Sequence, residues 1–146
     1  MRFVSSFVSE VAAVGDEIHV PISSDADIVI ARQQGRALAE RIGFAGGNLA
    51  VVATAISEVA RNIVEYAKRG EIVLKPVNQG GRQGLTVMAR DQGPGIPDIA
   101  LAMQDGYSTA KGLGLGLPGA RRLMDEFEII SKVGRGTTVT MKKWVR

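Results

Sequence analysis

The segment Asp91-Gln-Gly-Pro-Gly-Ile-Pro97 limits what this chain can fold into more than any other. It follows the apolar run Leu85-Thr-Val-Met-Ala89, which has the character of a strand. Gly93, Pro94, Gly95 and Pro97 then allow neither a helix nor a sheet ladder to continue. The chain must leave the strand through a stiff turn, with a carboxylate, Asp91, at the exit. With no Cβ at Gly95, the main chain can approach a flat ligand while Asp91 offers an acceptor to an amino group on it. Turns of this composition are also common as plain strand-to-helix connections, so the weight of the segment depends on two others.

A chain of 146 residues with 45% hydrophobic content buries a single sizeable core without staples. It has no cysteine, which excludes disulfides, thiolate metal sites and a Cys nucleophile. The lone His19 excludes a multi-histidine metal site, and a Ser/His nucleophile system unless that residue is in it. His19 lies in an alternating segment and is expected on a sheet. The net charge of +3 is mild and the basic residues are scattered, so nucleic acid is not an expected partner. No apolar run reaches membrane-spanning length, and Glu10 with three serines interrupts any signal-peptide centre. The chain is expected in the cytoplasm. Phe3, Val4, Phe7, Val8, Val11 and Val14 have helical spacing. They predict a short amphipathic helix, packed on the domain or on a second copy of the chain as a homodimer. Residues 1–16 are thus an extension and 17–146 the domain.

Ile18 to Ile22 reads as an edge strand that tolerates Pro21 near its end. Ser23, Ser24 and Asp25 are cap candidates for a helix from about Ala26 to Ile42, with Ile28, Ala31, Leu38, Ala39 and Ile42 on its buried stripe and Gly43 as its stop. A longer helix follows Gly46-Gly47-Asn48 and runs to about Lys68. It is apolar on most of its circumference and therefore central. Glu71 to Val77 and Gly84 to Asp91 flank the turn 78–83 as an antiparallel hairpin. After the Asp91 loop come a short helix near Asp98 to Gln104, a glycine-rich connection, and a helix from about Leu117 to Glu126 with Pro118 in its first turn. Phe127 to Lys132 and Thr137 to Trp144 form a closing hairpin. The order predicts an α+β, two-layer fold with helices on one face of a mixed, mainly antiparallel sheet.

On the central helix, Glu58 and Asn62 are four apart and share a face with Ser57, Arg61 and Glu65. Such a strip is usually a solvated side. Its alternative is chemical: the Asn62 oxygen suits Mg²⁺, which works with phosphates, and Glu58, one turn away, is placed to take a proton from an attacking hydroxyl. In Gly112-Leu-Gly-Leu-Gly-Leu-Pro-Gly119, glycines expose backbone N–H groups ahead of a helix N-terminus, which makes an anion site. Gly114, Gly116 and Gly119 formally match G-x-G-x-x-G. The match fails as a dinucleotide fingerprint because no buried strand precedes it and no βαβ unit follows.

Together, Glu58-Val-Ala-Arg-Asn62, Asp91-Gln-Gly-Pro-Gly95 and Gly112 to Gly119 resemble the N box and two glycine boxes of the GHKL (Bergerat-fold) ATP-binding family. That family includes sensor histidine kinases, DNA gyrase, MutL and the anti-sigma-factor kinases. The resemblance spans roughly Ile18 to Val145. It implies ATP and Mg²⁺ as cofactors, with Glu58 as base, Asn62 as metal ligand and Asp91 as partner of the adenine amino group. Gly93, Gly95 and Ile96 would complete the adenine side. Tyr107 to Gly116 would cover the phosphates as a lid, with Ser108, Thr109, Lys111, Gly112, Leu113, Gly114, Leu115 and Gly116 at the nucleotide.

Ala60-Arg-Asn62, Asp105-Gly-Tyr-Ser-Thr109 and Arg122-Leu-Met-Asp-Glu-Phe127 look closest to the switch kinases of the bacterial stressosome. That likeness implies a serine/threonine protein kinase acting on STAS-domain proteins of the RsbS and RsbR type. On release it would activate a PP2C-type phosphatase of the RsbU type. A site of one acid, one amide, a metal and backbone donors suits phosphoryl transfer, which needs positioning more than covalent chemistry. The competing reading is an anti-sigma or partner-switching binding protein whose nucleotide only sets the affinity of sequestration.

Overall fold

A computed structural model describes residues 2–5, 17–104 and 116–146. Its six strands form one sheet in the order β1-β5-β6-β4-β3-β2. They are β1 Arg2–Ser5, β2 Ile18–Ile22, β3 Gly70–Gln79, β4 Arg82–Asp91, β5 Glu126–Lys132 and β6 Gly136–Trp144. Every pairing is antiparallel. The described helices are α1 Asp25–Ile42, α2 Gly47–Tyr66, α3 Ile99–Ala102 and α4 Gly116–Leu123.

Helix α2 is central because its sequence leaves it no other place. Val52, Ala55, Ile56, Val59, Ala60 and Ile63 are all buried, which wraps apolar surface round most of the cylinder. It packs between α1, α4 and the sheet residues Ile72, Leu74, Leu85, Val87 and Ala89. The α1 stripe is as expected at Ile28, Ala31, Leu38 and Ala39, and it includes Gly35. A Cβ at Gly35 would collide with the Ile56 side chain, so the glycine sets how closely α1 approaches α2. Ser24 is the N-cap position of α1, yet it makes no side-chain cap bond. The Asp27 carboxylate instead accepts from the Ser23 N–H at 2.8 Å and from the Ser23 and Ser24 hydroxyls.

Three expected boundaries are corrected. The amphipathic helix over residues 1–14 is a strand at Arg2–Ser5, paired with Phe127–Ile130 of β5, and the rest of that expectation lies outside the described residues. Phe3 meets the Phe127 ring edge-on at 6.3 Å, and Arg2 pairs with Glu128. A strand edge waiting on β5 thus overrides a local helical spacing. The β3–β4 hairpin zips to Gln79 opposite Arg82, so its turn is only Gly80-Gly81. Both glycines have positive φ, as a two-residue hairpin turn requires. Helix α4 stops at Leu123 instead of Glu126. Asp125 accepts the Trp144 N–H at 2.8 Å and Glu126 accepts the Trp144 indole N–H at 2.7 Å, which pins these residues to β6.

On the sheet face opposite α1 and α2, His19 stands between Glu17 at 3.0 Å and Glu71 at 3.2 Å. The Glu17 bond, then the Glu71 bond, hold its pKa above the ordinary 6.5. Because the folded value is the raised one, this contribution to stability is complete below 6.5 and disappears as pH rises through the folded pKa. Denaturant melts of His19→Gln and the parent should therefore differ at about pH 5.5 and coincide at about pH 8.5. An equal difference at both pH values would contradict this.

Candidate functional site

The chemistry-bearing residues gather along the second half of α2 and the loop that leaves β4. Asn62 and Tyr66, one turn apart on α2, face Pro94, Gly95, Ile96, Pro97 and Leu117 across a cavity of about 200 Å³. The walls are mainly apolar, with Asn62 and Tyr66 as the residues that bring polar groups on the helix side. Such walls suit the flat face of a heteroaromatic ring. Among the described residues, no side-chain hydrogen bond claims the Asn62 amide.

Glu58 lies one turn before Asn62 and is only 7% exposed. Its Oε2 accepts the Gly116 N–H at 2.8 Å, and its Oε1 accepts from the Arg61 guanidinium at 3.0 Å. A buried carboxylate needs partners of this kind, because desolvation of an unpaired charge is prohibitive. Gly116 opens α4, so the bond joins the acid of the central helix to the start of the helix that follows the glycine run.

Asp91 ends β4, opposite Thr137 of β6 and Gly70 of β3. It is half-buried, and its Oδ1 accepts the Gly93 N–H at 2.8 Å. Burial pushes its carboxyl above the ordinary range, against the backbone hydrogen bonds of Gly93 and Thr137, which favour the charged form. Asp91 opens onto a neighbouring, wider concavity with Ala67, Gly70, Glu71 and Arg90, and is not on the wall that carries Asn62. Gly93 packs against Ala67 at the boundary between the two.

The loop after Asp91 is anchored from the β5–β6 hairpin. Ser131 Oγ accepts the Ile96 N–H at 2.8 Å, and the Pro94 carbonyl accepts the Gly134 N–H at 2.8 Å. Ser131 in turn shares a 2.8 Å hydroxyl contact with Thr137. Sequence reasoning missed this pair. Their buried hydroxyls on otherwise apolar strand faces are the signal that could have found them. Gly95 also has a different reason from the one expected. Its φ is +81, and a Cβ there would run into the Lys132 carbonyl, so the glycine serves contact with the protein's own hairpin.

Glu58, Asn62, Gly93, Gly95, Ile96 and Gly116 thus lie around the junction of α2, the loop and α4, with Asp91 at its edge. The expected lid residues Ser108, Thr109, Lys111, Gly112, Leu113, Gly114 and Leu115 lie outside the described residues. Among the described residues, no group of three or more carboxylate, His or Cys side chains could hold a metal by itself. A metal here would need ligands from a bound phosphate as well as Asn62, and that division suits Mg²⁺.

The profile of the histidine kinase-like ATPase domain matches residues 22–143. The serine/threonine-protein kinase RsbT of Bacillus subtilis strain 168 is 50% identical over 133 residues, 91% of this chain and 100% of that protein. Anti-sigma F factors of Thermoanaerobacter sp. strain X514 and Geobacillus kaustophilus strain HTA426 are each 34% identical. Each of those matches covers 66% of this chain, and 71% and 70% of the two relatives.

Two glycines of positive φ separate loop anchoring from simple turn strain. Gly80→Ala meets nothing within 4 Å and should cost about 1 to 2 kcal/mol. Gly95→Ala adds the collision with Lys132 and should cost about 3 kcal/mol or more in urea unfolding. Equal losses would show that the hairpin does not grip the loop.

Proposed function

This chain belongs to the histidine kinase-like ATPase domain family, and from that premise we propose that it is an ATP-dependent protein serine/threonine kinase of the partner-switching kind. The observation that carries the reading is the apolar cavity between Asn62 and the Pro94–Ile96 turn, with Glu58 one helical turn away. The full-length match to a named serine/threonine-protein kinase supports it.

When bound, ATP supplies the phosphoryl group and Mg²⁺ offsets its charge. The chain's own residues position and move a proton. Asn62 offers a hard oxygen to the metal, and its place on the cavity wall fits that role. Asp91 accepts from the adenine amino group at the pocket edge. Gly93, Gly95 and Ile96 shape the loop beneath the ring, and the Gly116 N–H is one of the phosphate donors. Glu58 takes the proton of an incoming serine or threonine hydroxyl. We assign as acceptors STAS-domain proteins of the RsbS and RsbR type, and as the target on release a PP2C-type phosphatase of the RsbU type. The support for these partners is the motif agreement around Asn62, Asp91 and Arg122-Leu-Met-Asp-Glu-Phe127.

The second reading is sequestration of a sigma factor, favoured by the 34% identity with anti-sigma F factors. Incubation with labelled ATP and candidate STAS or sigma-factor partners separates the two. Label on a STAS serine or threonine supports the kinase, and a stable sigma-factor complex without transfer supports sequestration.

Glu58→Gln should bind nucleotide no more weakly than the parent and slow transfer at saturating ATP by roughly 10² or more. Asn62→Ala and Asp91→Asn should weaken nucleotide binding itself. A Glu58→Gln transfer rate equal to that of the parent removes the base assignment.

A further inference from the structure

Both oxygens of the Glu58 carboxylate are in use. Gly116 holds Oε2 through its N–H at 2.8 Å, and Arg61 holds Oε1 at 3.0 Å. Gly116 is the first described residue of α4, has a φ of +65, and donates its N–H outside that helix, to Glu58. On the reading above, two anions have a claim on that amide. Glu58 occupies it here, and a nucleotide's phosphate needs it. A backbone amide carries one proton and serves one strong acceptor at a time. Two anions beside each other also repel, and a carboxylate only 7% exposed is screened less than in bulk water.

Arg61 makes the exchange feasible. It lies three residues from Glu58 on the same helix, so its grip on Oε1 does not depend on α4. When the Gly116 bond is given up, the carboxylate stays paired and on its rotamer, with one oxygen newly free. A free oxygen is what a general base requires, since an acceptor committed to an N–H has less capacity for a proton.

We propose that Glu58 and the phosphates of the nucleotide compete for the Gly116 N–H, and that Arg61 is the positioning residue that keeps Glu58 in place once it is displaced. The base is then capped in the empty site and uncapped by the ligand that makes it useful. The inference rests on the reading of this cavity as a nucleotide site.

Calorimetric titrations of the full chain with Mg·ADP and with adenosine test the competition. Adenosine has the ring and sugar but no phosphate. Glu58→Ala should bind Mg·ADP about tenfold tighter than the parent, the scale of one charge-assisted hydrogen bond, and adenosine within about twofold. Glu58→Gln keeps an acceptor for Gly116 without the charge and should fall between. It carries the test if the alanine variant does not fold. Unchanged or weaker Mg·ADP binding in both variants overturns the proposal, as does an equal gain for adenosine. A parent that binds neither ligand overturns the nucleotide reading instead. For Arg61, transfer kinetics of Arg61→Gln should show kcat reduced about tenfold with KM for ATP within about twofold, and Arg61→Lys should restore most of it. A kcat equal to that of the parent, or a loss confined to KM, overturns the positioning role.

Discussion

A carboxylate placed in the middle of an apolar helix must find partners, and the way Glu58 does so governs the arrangement around it. The helix could not be buried on nearly all sides unless that charge were met, because an unpaired buried carboxylate costs more than the packing of several side chains returns. Gly116 and Arg61 meet it. The Gly116 contact also ties α4 to the central helix, beside Leu117 and Ala120 in the core. At the far end of α4, Lys143 donates to the Leu123 carbonyl at 3.2 Å. One ion thus links the central helix, the last helix and, through them, the closing strands.

The second constraint is the hold of the β5–β6 hairpin on the loop after Asp91. A loop of glycines and prolines has little side-chain surface with which to anchor itself. Its anchors are Ser131, Gly134 and Thr137, which reach its backbone or its carboxylate. A cavity wall built this way is set before a ligand arrives, so little ordering cost remains for binding. The closing strands therefore contribute to the site although none of their side chains lines the cavity.

Much of this was legible in the chain. The apolar circumference of residues 47–66 required a central helix, and the Gly/Pro loop required a break after β4. The four-residue spacing of Glu58 and Asn62 put both on one face. What could not be read were long-range choices. Phe3 to Val14 have helical spacing, but for residues 2–5 β5 offers an edge and Phe127 a ring, and neither is visible locally. The end of α4 was overrun because Asp125 and Glu126 continue a helical pattern until Trp144, far along the chain, claims both side chains. The sequence points Gly95 at a ligand because a glycine's permissiveness is visible there and the backbone it must avoid is not. Ser131 and Thr137 do not stand out in the sequence because hydroxyls on a strand usually look like surface.

The central claim is that α2, the loop after β4 and the first turn of α4 form one seat for a magnesium-bound adenine nucleotide. Backbone amide spectra of the labelled chain, recorded as Mg·ADP is added, test it most directly. The account predicts saturable shifts concentrated at residues 58–67, 91–97 and 116–117. Saturable shifts confined to other parts of the molecule, with those three stretches unmoved, would contradict it.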